Sequence, residues 1–162
     1  MATGKAAGQE SVDEITDALL TASRLLMGIS ARSIAVVDET ITIPQFRTLL
    51  ILANRDPINL ATLSGLLAVA PSTTGRMVDR LVTAGLLDRR PHPDSRRELV
   101  VRLTQRGHEV IEAVTARRRD EIAKVVAQMP QKERHGLVRA LTAFSAAGSE
   151  PPAASDIHDH VI

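Results

Sequence analysis

The order of the patterns between residues 59 and 103 restricts the fold of this chain more than any other feature. Two short stretches with apolar residues at helical spacing, NLATLSGLL and STTGRMVDRLVTAG, are separated by the break AVAP. Asn59 and Ser72 can each accept a hydrogen bond from first-turn N–H groups, so each is expected to cap a helix. Two strand-like segments, 86–90 and 98–103, follow. This order predicts a helix-turn-helix followed by a β-hairpin.

The segment PHPDSRR, residues 91–97, lies between the two predicted strands. It is too long for a tight turn, and its prolines oppose regular pairing, so we expect an exposed loop. Residues 76–106 hold eight arginines and four acidic residues, a local charge of +4 in a chain whose net charge is +1. Such a concentration indicates a surface for an anionic partner, with an ordinary solvated basic surface as the alternative.

The second short helix has two distinct faces. At 100° per residue, one arc contains the mostly apolar residues Thr74, Met77, Val78, Leu81 and Val82. The opposite arc contains Ser72, Thr73, Arg76, Asp79, Arg80 and Thr83. An α-helix fits the major groove of DNA, and Arg76 is placed to read a base edge. Taken alone, the pattern also fits a surface helix whose arginines pair with Asp79.

The basic loop favours DNA over the surface-helix alternative. Arg96 and Arg97 lie near its tip, one hairpin away from the helix-turn-helix. This is the layout of a wing that reaches the phosphate backbone or a minor groove, where arginine is favoured. Arg89 and Arg90 are expected to be less directly involved, because they can pair with Asp88 or Glu98.

Longer helices are predicted on both sides of this region. Ser11 and Glu14 form a capping box, Pro44 opens a short second helix, and a long helix runs from Thr104 to about Gln128 before Pro130 starts the last one. Mostly apolar residues at heptad-like spacing form a seam along the first helix: Val12, Ile15, Leu19, Ala22, Leu26, Ile29, Ser33 and Val36. We expect dimerisation through Val12, Ile15, Leu19 and Ala22 together with Leu137, Leu141 and Phe144, although the seam could instead pack within one subunit.

Several classes of function are not supported by the sequence. There is no cysteine, and Phe46 and Phe144 are the only aromatic residues, so the core should be aliphatic and thiol chemistry is excluded. No hydrolase, zinc-protease or nucleotide-binding motif is present, so we predict neither an enzyme nor a cofactor. His158 and His160 fit an exposed tail better than a metal site. Without a signal peptide or eighteen consecutive apolar residues, a cytoplasmic protein is expected.

The order of these elements resembles that of the MarR (multiple antibiotic resistance regulator) family of bacterial transcription factors. The segments VDRLVTAGLLDRR (78–90) and LTQRG (103–107) carry the resemblance, which extends over about residues 12–146. It implies a homodimeric winged helix-turn-helix repressor that binds double-stranded DNA and is relieved by a small-molecule effector. The DNA contacts it implies are Ser72, Thr73, Arg76, Arg80 and Arg97. Ser95 departs from the family, which commonly has an acid two residues before the wing arginine.

The predicted fold is mainly α, a winged helix-turn-helix with a small β-hairpin wing and with N- and C-terminal dimerisation helices. The predicted divisions are a flexible N-terminus (1–10), a dimerisation helix (11–40), the DNA-binding domain (41–104), C-terminal helices that complete the dimerisation region (105–147) and a tail (148–162). A winged-helix module that binds protein without specific DNA binding is the alternative. Only DNA binding through phosphates should weaken steeply with salt.

Overall fold

The structure is a computed structural model, and it describes residues 10–55 and 57–150. Within these residues the chain is mainly helical. One short strand lies just before the third helix, and two strands lie between the fourth and fifth helices. The elements are α1 (Val12–Val37), α2 (Ile43–Ala53), β1 (Ile58–Asn59), α3 (Leu60–Leu67), α4 (Pro71–Thr83), β2 (Leu87–His92), β3 (Ser95–Leu103), α5 (Gln105–Gln128), α6 (Gln131–Arg134) and α7 (Leu137–Ala147).

Helix α1 begins at the predicted capping box. The Ser11 hydroxyl accepts from the Glu14 N–H at 3.1 Å, and Glu14 Oε2 accepts from the Ser11 N–H at 2.8 Å, which confirms the prediction. The Ser11 backbone N–H, followed by its hydroxyl, lowers the pKa of Glu14. Toward its other end α1 packs against α5, and Ile29 and Ile34 are buried there.

The N-terminal half of α1 is uncovered in the single chain. By length and composition alone the helix could cross a membrane, and only 17% of its most apolar 18-residue stretch is buried. One such helix is weak evidence for a membrane span, because a helix at a protein interface has the same composition. An exposed apolar surface of this kind marks a site of contact with another apolar surface.

Local sequence signals determine where α3 and α4 begin. Asn59 Oδ1 accepts from the Thr62 N–H at 2.8 Å, so the predicted cap of α3 is confirmed. The chain turns at Ala68, whose φ is 54°, and α4 then starts at Pro71. The prediction that Ser72 caps α4 is wrong, because Ala70 occupies that position without a side-chain hydrogen bond. Proline is preorganised for the first helical position, which places Ser72 inside the helix.

The three strands form an antiparallel sheet in the order β1-β3-β2. The prediction that residues 91–97 form an unpaired loop is wrong: Pro91 pairs with Leu99 and His92 with Ser95, which leaves a two-residue turn. Strand β2 is an edge strand, so no strand pairs with its outer side. Proline is tolerated here because an N–H group on that side would have no partner strand to bond. Strand β1, which the sequence did not predict, pairs Ile58 with Val101.

The core is aliphatic, as the composition predicts, and Phe46 is its only aromatic side chain among the described residues. It joins the end of α1, the three helices α2 to α4, the base of the hairpin and the first half of α5. Its members with at most 5% exposure include Ile34, Phe46, Leu49, Leu52, Leu63, Val78, Leu81, Leu86, Leu87, Val101, Ile111 and Val114. The orientation of α4 is therefore fixed by packing on several sides.

The C-terminal region is divided more finely than predicted. Thr104 caps α5 by accepting from the Gly107 N–H at 3.1 Å, and α5 ends at Gln128 as expected. A single last helix is expected after Pro130, but the structure has α6 followed by the separate α7. The two are separated because Gly136 has a φ of 79°, a left-handed conformation that interrupts a right-handed helix. Arg134 donates to the carbonyl oxygens of Ala127 and Met129, which closes the end of α5.

Candidate nucleic-acid interface

The two faces predicted for α4 are present in the structure. Thr74, Val78 and Leu81 are buried against the core, and Met77 and Val82 are half-buried. Six polar side chains lie on the exposed side: Ser72, Thr73, Arg76, Asp79, Arg80 and Thr83. Burial of one arc therefore fixes which side chains face outward, and four of these are the predicted DNA contacts on this helix. Their contact with DNA itself stays a prediction.

The N-terminus of α4 is open. No side chain caps it, and Pro71 at the first helical position has no N–H group. The hydroxyls of Ser72 and Thr73 are exposed in this first turn. The N–H groups of Thr73 and Thr74 both donate to the Ala70 carbonyl oxygen at 3.0 Å, so the Ser72 N–H and the helix dipole are what make this end of a 13-residue helix favourable for a phosphate. The first turn of α4 thus combines a backbone suited to phosphate with side chains that can reach bases.

The hairpin next to α4 is organised by ion pairs at its base. Asp88 accepts from Arg90 Nε at 2.8 Å and lies 3.6 Å from Arg102 Nε. The hydrogen bond from Arg90 is the main cause that lowers the pKa of Asp88. Arg89 pairs with Asp79 of α4 at 2.5 Å, so the expectation of Asp88 or Glu98 as its partner is wrong. Arg90 has the expected partner, Asp88.

Farther along the hairpin, Arg97 is exposed on β3. The side chain of Arg96 lies outside the described part of the structure, so its predicted contact stays a prediction. No ion pair joins Asp94 to Arg97. The backbone N–H of Asp94 instead donates to His92 Nδ1 at 3.1 Å, which closes the turn at the tip. Asp94 therefore does not replace the missing acid at Ser95 as a partner for Arg97.

One contact between the hairpin and the helix-turn-helix was missed from sequence. Glu98 accepts a hydrogen bond from Asn59 Nδ2, while Asn59 Oδ1 caps α3. One amide therefore ties β3 to the start of α3. An asparagine cap always has a spare N–H₂ group, but its partner is 39 residues away and local patterns do not reveal it.

The residues predicted for dimerisation lie mostly on uncovered surface. Val12 is 79% exposed, Ile15 44%, Leu141 46% and Phe144 56%. Ala22 is also exposed, and Leu19 and Leu137 are partly covered. The seam is not continuous, because Ile29 and Ser33 are buried within the chain. Packing within the chain therefore covers Ile29 and Ser33 but neither the start of the seam nor Val36 at its end, which is 62% exposed.

A cavity of about 240 Å³ lies beside α4. Its lining is Thr40, Ile41, Thr42, Gln45, Arg80, Leu81, Ala84 and Leu86, which includes no aromatic side chain. In the described residues no three His, Asp or Glu side chains come together as metal ligands. His158 and His160 lie outside these residues.

Comparison with known proteins identifies the family. The family model "MarR family" matches residues 41–99, which span α2 to the middle of β3. RV1404 from Mycobacterium tuberculosis, known from a crystal structure, is 70% identical to this chain. The match covers 90% of this chain and 99% of RV1404, with a TM-score of 0.83. This chain belongs to the MarR family.

Two further relatives agree with membership of the MarR family. HTH-type transcriptional regulator MT0903.1 of M. tuberculosis is 28% identical over 115 residues, 71% of this chain and 80% of that protein. A MepR mutant of S. aureus, whose crystal structure contains an oligodeoxyribonucleotide, shares the fold with 19% identity and a TM-score of 0.62. The match covers 82% of this chain and 96% of MepR. This MarR-family chain is a winged-helix transcriptional regulator and not an enzyme.

Proposed function

We propose that this MarR-family chain is a cytoplasmic homodimeric repressor that binds a palindromic operator through α4 and the β2–β3 hairpin. The proposal depends on the exposed polar face of α4, which has Arg76 at its centre, and on the exposed Arg97 of the adjacent hairpin. In it, α4 enters the major groove, where Ser72, Thr73, Arg76 and Arg80 lie closest to base edges and phosphate. The hairpin follows the backbone toward the minor groove with Arg96 and Arg97.

A dimer is proposed because the uncovered apolar surfaces lie at the two ends of the chain. The first half of α1 and the face of α7 with Leu141 and Phe144 are both apolar and exposed. A second subunit would cover these apolar side chains. Two α4 helices about 34 Å apart would then match one turn of DNA.

Relief by a small molecule is proposed as a shift between two dimer conformations. An effector can weaken operator binding only if it prefers the conformation whose recognition helices fit DNA poorly. The cavity beside Arg80 touches α4 and the segment that joins α1 to α2. A ligand held between these elements would be placed to change the position of α4 relative to the α1–α2 segment. The cavity lining combines polar side chains, Arg80 among them, with apolar ones such as Leu81 and Leu86.

Selection of bound fragments from the source genome tests the proposal directly. The expected result is an inverted repeat with half-site centres about 10 bp apart. Fluorescence anisotropy on such a fragment should then show affinity falling about 10³-fold or more between 50 and 200 mM salt, if six or more phosphates are contacted. Binding that is indifferent to salt, or no enriched repeat, would favour the protein-binding alternative.

Arg76→Ala is expected to weaken operator binding by about 1 to 3 kcal/mol if Arg76 reads a guanine. The arginine is exposed and the helix beneath it is packed on the core, so the loss should come from the contact and not from unfolding. Anisotropy titrations on the operator and on variants of each half-site base measure it. Preference should relax at one base only, and an unchanged preference at every base would remove Arg76 as the reader.

Arg97→Ala is expected to lower affinity by a similar factor for operator and unrelated DNA, because a backbone or minor-groove contact distinguishes few sequences. The salt slope should decrease by about one phosphate. Lys132→Ala is the matched control, since it removes one cation from α6, away from the proposed interface. If Arg97→Ala and Lys132→Ala behave alike, the hairpin has no role in binding.

A further inference from the structure

The face of α4 proposed to meet DNA carries one carboxylate between several cations. Asp79 lies on the exposed arc, one turn after Arg76, and a carboxylate there would repel the phosphate backbone. Residues three apart on a helix are neighbours, so Asp79 is also within reach of Arg76. A free Asp79 would therefore draw Arg76 along the helix surface and away from a base.

In the structure Asp79 is held by a different arginine. Arg89 Nη2 lies 2.5 Å from Asp79 Oδ1, and this pair connects the base of β2 to α4. The side chains remain 36% and 60% exposed, respectively. No ion pair involves Arg76 among the described residues. The carboxylate thus has two candidate arginines within reach and binds the one on the hairpin.

The two arginines reach Asp79 from different elements. At 100° per residue, Asp79 lies 60° from Arg76 toward the side of Gly75 and Val82, whereas Arg80 lies 40° away on the other side. Strand β2 packs against α4, and Arg89 reaches Asp79 from that strand. Arg89 therefore competes with Arg76 for the carboxylate from a fixed position.

We propose that Arg89 is a positioning residue: by binding Asp79 it keeps Arg76 free to read a base. This rests on the proposed role of α4 in binding DNA. The Asp79–Arg89 pair has no net charge, so it adds nothing to the electrostatic attraction between protein and phosphate. The Asp79–Arg89 pair instead contributes to base preference, because it leaves Arg76 free.

Arg89→Gln is the first variant of the test. It releases Asp79 to pair with Arg76, so operator affinity should fall about tenfold and preference should relax at the base that Arg76 reads. Anisotropy titrations on the selected operator fragment, and on the same fragment changed at that base, measure both effects. Unchanged base preference in Arg89→Gln would overturn the inference.

The double variant Asp79→Asn with Arg89→Gln separates positioning from a structural role. It lacks the ion pair but has the formal charge of the natural chain, and no carboxylate remains to capture Arg76. Operator affinity and base preference should return to within about threefold of the natural values, since coupled neighbours are non-additive. If the pair only braces the hairpin, the double variant will be as weak as Arg89→Gln, which would overturn the inference.

Arg90→Gln is the matched charge control. It removes one cation from the adjacent position of β2, while Asp79 keeps Arg89 and Asp88 keeps Arg102. Affinity should fall evenly across sequences with base preference unchanged. Loss of preference equal to that of Arg89→Gln would mean that charge alone is responsible and would overturn the inference.

The natural chain and Arg76→Ala distinguish this inference from the proposed function. Absence of salt-dependent DNA binding by the natural chain would end both. Relaxed preference in Arg76→Ala but not in Arg89→Gln would leave the DNA-binding proposal standing and end this one.

Discussion

Replacing Leu19 and Leu141 together with glutamate is expected to give a chain that no longer forms a dimer and no longer holds its operator. Leu19 lies on the α1 seam, and Leu141 is 46% exposed on α7. Full burial of a leucine side chain stabilises an interface by about 1.5–3 kcal/mol, and a buried, unpaired carboxylate costs more than that. Four charges would enter one symmetric interface. Light scattering should give the mass of a single chain or of an aggregate.

Loss of the dimer should have a large effect on DNA binding. Joining two half-site contacts raises affinity by about 10²–10⁴ over one contact, so the double variant should lose operator binding by at least about a hundredfold. Thr21→Glu with Arg139→Glu is the control, because both side chains are exposed and point away from the seam and from Leu141. An intact dimer in the leucine variant would count against these interface positions.

Local signals were sufficient for most of the fold. The capping box at Ser11, the Asn59 cap and the Thr104 cap each depend on residues within three positions, and all three are present. The failed prediction at Ser72 was a conflict between two local signals, in which Pro71 determined the first helical position. Amphipathic periodicity likewise predicted the exposed face of α4, because the burial of one arc leaves the other to solvent.

Contacts between distant residues were not predictable in the same way. Whether Pro91 can belong to a strand depends on whether that strand lies at the edge of the sheet, and β1 was needed to make β3 central. The partner of Arg89 is ten residues away on another element, and Asp88 is a neighbour in sequence that binds other arginines. Charge composition predicts that ion pairs form, but packing decides which ones do.

The close approach of α5 to the hairpin leads to the other prediction with a large effect. Gly107 lies in the first turn of α5, and a Cβ atom there would overlap the carbonyl oxygen of Leu86 and lie 2.9 Å from Leu103 Cδ2. The same carbonyl accepts from the Thr104 N–H at 3.1 Å, and the Thr104 hydroxyl donates to Gly85 O at 2.7 Å. Backbone held by these bonds cannot move aside without losing them. The glycine of LTQRG is thus required for packing.

Gly107→Ala is therefore expected to destabilise the fold by about 3 kcal/mol, the upper end for forcing an extra carbon into a packed site. The midpoint of thermal unfolding should fall by about 10 °C, measured at one fixed concentration because a dimer's midpoint depends on it. Gly65→Ala is the control: its Cβ would meet nothing within 4 Å in α3, and alanine favours a helix over glycine. That variant should be neutral or slightly more stable. Equal midpoints for the two variants would show that α5 can shift away from Leu86, so that the first turn of α5 does not fix the base of the hairpin.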